Sequence, residues 1–171
     1  MATVLPGTTI EVSAITHGLS VQLFDGLFAV GGITLSQAAI LTGLEPHVIQ
    51  NWVKRGFVSP PQNRSYSREQ FARIVLINLL RETFQIDRVC RVLPPFDGVG
   101  NAMLYHRFTD MVACAGERVA DDAAIEQAAR YIIGGGDDPA DVRQMQLLRM
   151  LAYAHNAYLS RRAAEELLMQ L

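Results

Sequence analysis

The sequence predicts an all-α fold, with short helices in its first half and longer ones in its second, on three observations. Apolar residues recur at three- and four-residue spacings through most of the chain, the period of a helix with one buried face. Two capping boxes, Thr34 with Gln37 and Ser67 with Gln70, mark helix starts. Glycines and prolines fall between the periodic stretches, where they end one helix and begin the next.

Taken in order, Met1 to Gly18 holds β-branched residues, Pro6 and Gly7, and is expected to be an irregular arm. Leu19 to Val30 reads as a short amphipathic helix ended by Gly31-Gly32. Thr34 opens the next helix, which runs to about Leu41 and stops at Gly43, where a left-handed turn is expected. Pro46 suits a first helical turn, because its missing N–H has no helical partner there, and that helix runs to about Arg55. Phe57 to Tyr66, with Pro60-Pro61 and Asn63, is a loop or short hairpin. The second capping box starts a helix to about Thr83 with a broad inner face, and a short helix from Ile86 to Leu93 is broken by Pro94-Pro95. Further helices are expected at Asn101 to Glu117, Asp121 to Ile133 and Pro139 to Leu171, with Gly134 to Asp138 a flexible joint. The last is expected to bend near Asn156 to Ser160 and to be amphipathic from Leu159 onward.

A length of 171 residues with 50% hydrophobic content fits one compact domain, or a small domain with a helical extension. The formal net charge of −2 does not mark a polyanion-binding protein in bulk. Its distribution is more informative. Residues 33–93 carry eight cations against four anions, net +4, which leaves the remainder at −6. A basic segment joined to an acidic remainder is the asymmetry of a nucleic-acid-reading module beside a regulatory or assembly region. Cys90 and Cys114 lack any C-x-x-C companion, so no disulfide framework is expected. Neither a signal-peptide pattern nor an apolar run of membrane-spanning length is read in the chain, so the expected location is cytoplasmic, with no membrane partner.

Three features coincide between residues 33 and 93. Two short helices meet at Thr42-Gly43-Leu44, a Pro-rich segment containing Arg64 follows, and a longer helix with a short one completes the unit. The run TLSQAAILTGLEPHVIQNWVKRGFVSPPQNRSYSREQFARIVLINLLRETFQIDRVCRVL resembles the MerR-type winged helix-turn-helix. Gly56-Phe57 fills the exit from the recognition helix and Arg64-Ser65-Tyr66-Ser67 the end of the wing. The wording QNWVKRG, YS and INLL also resembles an uncharacterised bacterial family of predicted MerR-like regulators, and that likeness extends toward Leu19–Val30 and past Leu93. In the superfamily an arginine is common where Gln50 stands and a tyrosine where Asn51 stands.

On the helix from Pro46 to Arg55, Ile49, Trp52 and Val53 form one apolar face, and His47, Gln50, Asn51 and Lys54 the other. Trp52 belongs with the core rather than with a stacked base. Gln and Asn can pair bidentately with adenine in the major groove, whereas Lys54, Arg55 and Arg64 suit phosphates. The candidate DNA-binding residues are therefore His47, Gln50, Asn51, Lys54, Arg55, Arg64, Tyr66 and Arg68. Arg68, Arg73 and Arg81 read as solvated helix charges, Arg68 close enough to the wing to reach a phosphate.

No enzyme is expected. His17, His47, His106 and His155 are scattered, none at metal-ligand spacing, and each reads as a surface or hydrogen-bonded histidine. MerR-type metal sensors place cysteines near the end of the long helix, and Cys114 stands alone without that context. Cys90 reads as core. Asp121-Asp122 and Asp137-Asp138 sit at helix starts, where the dipole and the free N–H groups favour them. Gly134-Gly135-Gly136 has no strand before it and no Lys-Ser/Thr after it, so it is not a phosphate loop.

The resulting expectation is a DNA-binding transcription regulator with three parts: an arm and short helix (1–32), a winged helix-turn-helix (33–93) and a helical dimerisation or regulatory region (94–171). The helix at 46–55 would enter the major groove of double-stranded DNA, with the wing at 57–66 on the backbone. A homodimer and a small-molecule effector are expected partners, and no cofactor. Pro94-Pro95-Phe96-Asp97-Gly98 interrupts the position of the long dimer helix of ordinary MerR regulators. Leu147, Leu148, Met150, Leu151, Tyr158 and Leu159 fit either a partner face or an intramolecular bundle. The competing expectation is a protein-interaction module on the same fold without DNA binding, which the low cation count favours.

Overall fold

A computed structural model describes residues 3–94, 100–116 and 119–171. The described residues form eight helices and four two-residue strands. Strands β1 (Thr3–Val4) and β2 (Glu11–Val12) precede α1 (Leu19–Leu27). Strand β3 (Ile33–Thr34) leads into α2 (Leu35–Thr42) and α3 (Pro46–Lys54), and β4 (Ser65–Tyr66) into α4 (Arg68–Leu80). Helices α5 (Ile86–Val92), α6 (Asn101–Ala115), α7 (Asp122–Ile133) and α8 (Pro139–Leu168) complete the chain. The protein is thus mostly helical, as its periodicity predicts.

Helix α4 is the axis of the core. Ten of its thirteen residues are buried, including the unbroken run Gln70 to Ile77. A helix apolar on every side must be covered on every side. Helices α2 and α5 pack on it within the first half of the chain, and α6 and α8 from the second half. Both predicted capping boxes are formed. Thr34 and Ser67 accept from the N–H of Gln37 and Gln70, and both glutamine side chains return to the cap N–H.

Helix α1 joins this core through Phe24. Its fully buried ring lies 5.4 Å from Phe71, 5.6 Å from Tyr105 and 4.9 Å from His106, centroid to centroid. Tilted, stacked and edge contacts at these separations suit aromatic rings. Below them Ser20 Oγ lies 2.8 Å from His106 Nδ1 and 2.7 Å from Thr109 Oγ1, so this buried polar group is satisfied.

The N-terminal arm is ordered by pairing rather than irregular. Antiparallel strands β1 and β2 bring Thr3 opposite Val12 and Val4 opposite Glu11. Leu5 at the start of the hairpin loop is fully buried, and the Tyr105 hydroxyl donates to the Pro6 carbonyl at 2.8 Å. Alternation too short to register as a strand pattern is sufficient here because a buried side chain and a buried hydroxyl anchor the loop.

Helix α8 is unbroken through Asn156–Ser160, a stretch without proline or glycine. Leu148 and Leu151 are fully buried in the α6–α7–α8 bundle, so this part of the apolar face closes within the chain, while Leu159 is exposed. Asp121 and Asp138 cap α7 and α8 by accepting from Ala124 and Ala140 N–H, as their positions predicted. Glu117 and Pro95 to Gly98 lie outside the described residues, and with them the expected end of α6 and most of the Pro94–Gly98 break. Among the described residues no helix is long and apolar enough to cross a membrane.

His155 departs from the expectation of a surface or satisfied histidine. It is 6% exposed, packs edge-on to Phe108, and its Nδ1 meets no partner among the described residues. Burial pulls its pKa down to about 4, against an ordinary 6.5. The folded ring is neutral in the range where an unfolded one is charged, so the unfolded chain binds more protons there. Stability should therefore be complete above about pH 6.5 and fall as pH drops toward 4, by up to about 3 kcal/mol from this group. Urea unfolding midpoints at about pH 7 and about pH 5 measure this, and His155→Leu should flatten the difference.

Candidate functional site

Helices α2 and α3 meet at a corner whose geometry is set by local chemistry. Gly43 caps α2 with φ +69, a left-handed conformation that costs glycine little. Pro46 occupies the first turn of α3. The end of α2 is further held from outside. Thr9 donates its N–H to Leu41 O at 2.9 Å and its hydroxyl to Ile40 O at 2.7 Å. Asn78 on α4 donates Nδ2 to Thr42 O at 2.9 Å and to Gly7 O at 3.0 Å. Carbonyls that a helix end leaves free are thereby satisfied.

Ile49 and Trp52 bury one face of α3, with Val48 and Val53 half-buried beside them. His47, Gln50, Asn51 and Lys54 are exposed on the other, and none has a side-chain hydrogen bond or ion pair among the described residues. The chain then turns through Phe57 and Val58, whose N–H groups both reach Trp52 O.

The segment after α3 is a hairpin closed by a two-residue turn. Gln62 and Ser65 exchange both backbone hydrogen bonds, at 3.0 and 2.8 Å, around Asn63 and Arg64. Both turn residues have positive φ, +49 and +63, as the twist of a two-residue hairpin demands. Asparagine tolerates this conformation, whereas arginine is strained in it. The strained residue is the exposed tip cation, Arg64. The returning strand β4 pairs antiparallel with β3, Ile33 opposite Tyr66 and Thr34 opposite Ser65. That pairing requires glycine at position 32, where a Cβ would lie 2.7 Å from Tyr66 O.

Two polar residues of α4 lock the hairpin base. Besides its capping role, Gln70 donates Nε2 to Pro60 O at 2.8 Å and to the carbonyl and hydroxyl of Ser59, both at 3.0 Å. Arg73 is 6% exposed and donates to the carbonyls of Phe57, Pro94 (3.1 Å) and Cys90 (3.4 Å), and to Asn101 Oδ1 (3.3 Å). Burial lowers the guanidinium's pKa from its ordinary value. The reading of Arg73 as a solvated charge is therefore overturned. A buried guanidinium satisfies several carbonyls at once because its donors spread in a plane.

The expected site residues divide into two groups. His47, Gln50, Asn51, Lys54 and Arg64 are exposed. Tyr66 is 2% exposed and burial raises its hydroxyl pKa, so it is a core residue beneath the hairpin and not a surface contact. Arg55 pairs with Asp87 of α5 at 3.3 Å and lies 4.4 Å over the Phe57 ring. Arg68 pairs with Asp25 of α1 at 2.6 Å and leans over Phe28. Arg81 is exposed and donates to Asn78 Oδ1, which orients that amide toward the α2 carbonyls. Among the described residues no cluster of three or more His, Cys, Asp or Glu could hold a metal ion.

Residues 32–101 are similar to the family described as Domain of unknown function (DUF1836). The matched span starts at Gly32 and ends at Asn101, and includes Phe57, Cys90, Pro94 and Asn101, to which Arg73 donates. Comparisons with curated proteins and with solved structures find no match.

Substitutions at two positions separate the turn from the lock. Arg64→Gly should keep or slightly raise stability, whereas Arg64→Val should lower it by about 1–2 kcal/mol, because a β-branched residue fits positive φ worst. Arg73→Met should cost about 3–5 kcal/mol by stranding several buried carbonyls. Urea denaturation of the three variants against the parent chain provides the comparison.

Proposed function

We propose that residues 33–93 are a MerR-like winged helix-turn-helix that binds double-stranded DNA, and that the protein is a transcription regulator. In this reading α3 enters the major groove and the hairpin at 62–65 is the wing, resting on the backbone. The observation that carries it is the free face of α3. Four adjacent polar side chains, His47, Gln50, Asn51 and Lys54, are exposed and uncommitted to any described neighbour, while the opposite face is buried. Gln50 and Asn51 have the paired donor and acceptor that adenine presents in reverse. Lys54 and Arg64 supply charge for phosphates, which sets affinity and register rather than sequence. A dimer would offer two such helices to two half-sites.

A specific observation also favours a second reading, a protein-interaction module without DNA binding. Arg55 and Arg68 are drawn into ion pairs with Asp87 and Asp25, and Ile40 on α2 is 73% exposed.

Fluorescence anisotropy with duplex DNA at about 50 mM salt separates the two, since phosphate contacts are strongest at low salt. Lys54→Ala and Arg64→Gly should weaken binding to every duplex and each reduce the salt slope by about 1. Gln50→Ala and Asn51→Ala should instead relax base preference, by about 1–3 kcal/mol at one position. No binding at low salt, in a folded protein, overturns the DNA reading and leaves the interaction module.

A further inference from the structure

A cavity of about 540 Å³ lies between the N-terminal hairpin loop, the end of α4 and the second half of α8. That volume is in the range of small-molecule sites, roughly 300–1,000 Å³. Its inner wall is apolar, with Ile15, Leu79, Val112 and Val119. Arg81, Arg161 and Arg162 line it, together with the carboxylates of Glu82 and Glu166. Arg161 lies 2.7 Å from Glu82 and 3.4 Å from Glu165, and Arg162 3.3 Å from Glu166, yet all three guanidinium side chains keep between 38% and 52% of their surface exposed. The rim therefore keeps guanidinium donors open to a ligand.

His155 lines the same cavity, more than nine-tenths buried, with Nδ1 unpartnered among the described residues.

The cavity also shares its wall with the residues that hold the α2–α3 corner. Thr9, Thr42 and Asn78 all line it. Thr9 and Asn78 are the donors to Ile40, Leu41 and Thr42 at the end of α2. A molecule that filled the space would press on the groups that set the orientation of α3.

We propose that this cavity binds a small organic acid with an apolar body, its carboxylate at the Arg81–Arg161–Arg162 rim, its body on Leu79 and Val112 beside His155, and that occupancy stiffens the α2–α3 corner. The regulatory meaning of that stiffening rests on the DNA-binding reading above, while the site itself does not.

The test is isothermal titration of the full chain with 1-naphthoate as probe, and with naphthalene-1-methanol and naphthalene-1-methylammonium as shape-matched controls. Naphthoate should bind about tenfold more tightly than either control, since only its carboxylate can pair with the open guanidinium donors of the rim as an anion. Ala163→Trp, at an exposed helical position on the cavity lining, should weaken naphthoate at least about tenfold without changing the helical signal. Arg161→Gln should weaken naphthoate about tenfold and leave the alcohol unchanged. Amide exchange of Thr9, whose N–H bonds Leu41 O, should slow when naphthoate is bound. Absence of naphthoate binding overturns the site, equal affinity for the alcohol overturns the acid assignment, and unaltered Thr9 exchange overturns the coupling. The titration contains no DNA, so its failure leaves duplex binding standing, and failure of duplex binding leaves the cavity result standing.

Discussion

Helix α4 has no solvent face, and this constraint organises the rest of the protein. A helix buried all round cannot end a fold: it needs elements on every side, and the chain supplies α2 and α5 before residue 94 and α6 and α8 after it. The polar residues that α4 does carry inward are consequently all put to structural use. Gln70 closes a capping box and grips Ser59 and Pro60, Arg73 binds three carbonyls and Asn101, and Asn78 holds the end of α2 and the N-terminal loop. Such networks are stabilising only when nearly complete, because an unmet buried polar group costs more than a made bond returns. The same bonds that keep α4 buried therefore orient the corner, the hairpin and α3.

This arrangement explains why the surface of the basic segment is less basic than its composition. Eight cations fall between residues 33 and 93, but Arg73 is inside, and Arg55 and Arg68 tie α3's end to α5 and α4's start to α1. What remains open on α3 and the hairpin tip is the three amides of Gln50, Asn51 and Asn63, a histidine, Lys54 and Arg64. A surface of that kind binds a polyanion with modest electrostatic strength and depends on geometry for selectivity. Strain at Arg64 fits this picture. The turn would be relaxed by glycine, yet it carries the tip's only long cationic side chain.

The two halves of the chain meet through the N-terminal hairpin as well as through α4. Its loop accepts from Tyr105 of α6, accepts from Asn78 of α4 and donates to α2, so one short segment touches the bundle, the core axis and the corner together. The similarity to DUF1836 spans residues 32–101, so it covers the corner, the hairpin at 62–65 and α4, while most of the bundle and the N-terminal hairpin lie outside it. The cavity beneath that hairpin joins residues from both sides of this limit.

The amino-acid sequence by itself determined the helix starts, the corner and the split of α3 into two faces. Capping boxes, Gly43, Pro46 and the Ile49–Trp52 spacing act within a turn or two of the residues concerned, so the pattern carries the physics. It also placed His47, Gln50, Asn51, Lys54 and Arg64 on the exposed side, for the same local reason. Tertiary structure alone decided the fates of Arg73, Tyr66, Arg55, Arg68 and His155. Arginine is exposed in most helices, and only the arrival of Phe57, Cys90, Pro94 and Asn101 around position 73 makes a buried one tolerable. Tyr66 is inside because β4 pairs with β3, 33 residues earlier, and Arg68 is spent because Asp25 sits 43 residues away in sequence. Those contacts depend on which distant segments the all-round burial of α4 brings together, and no local spacing records that.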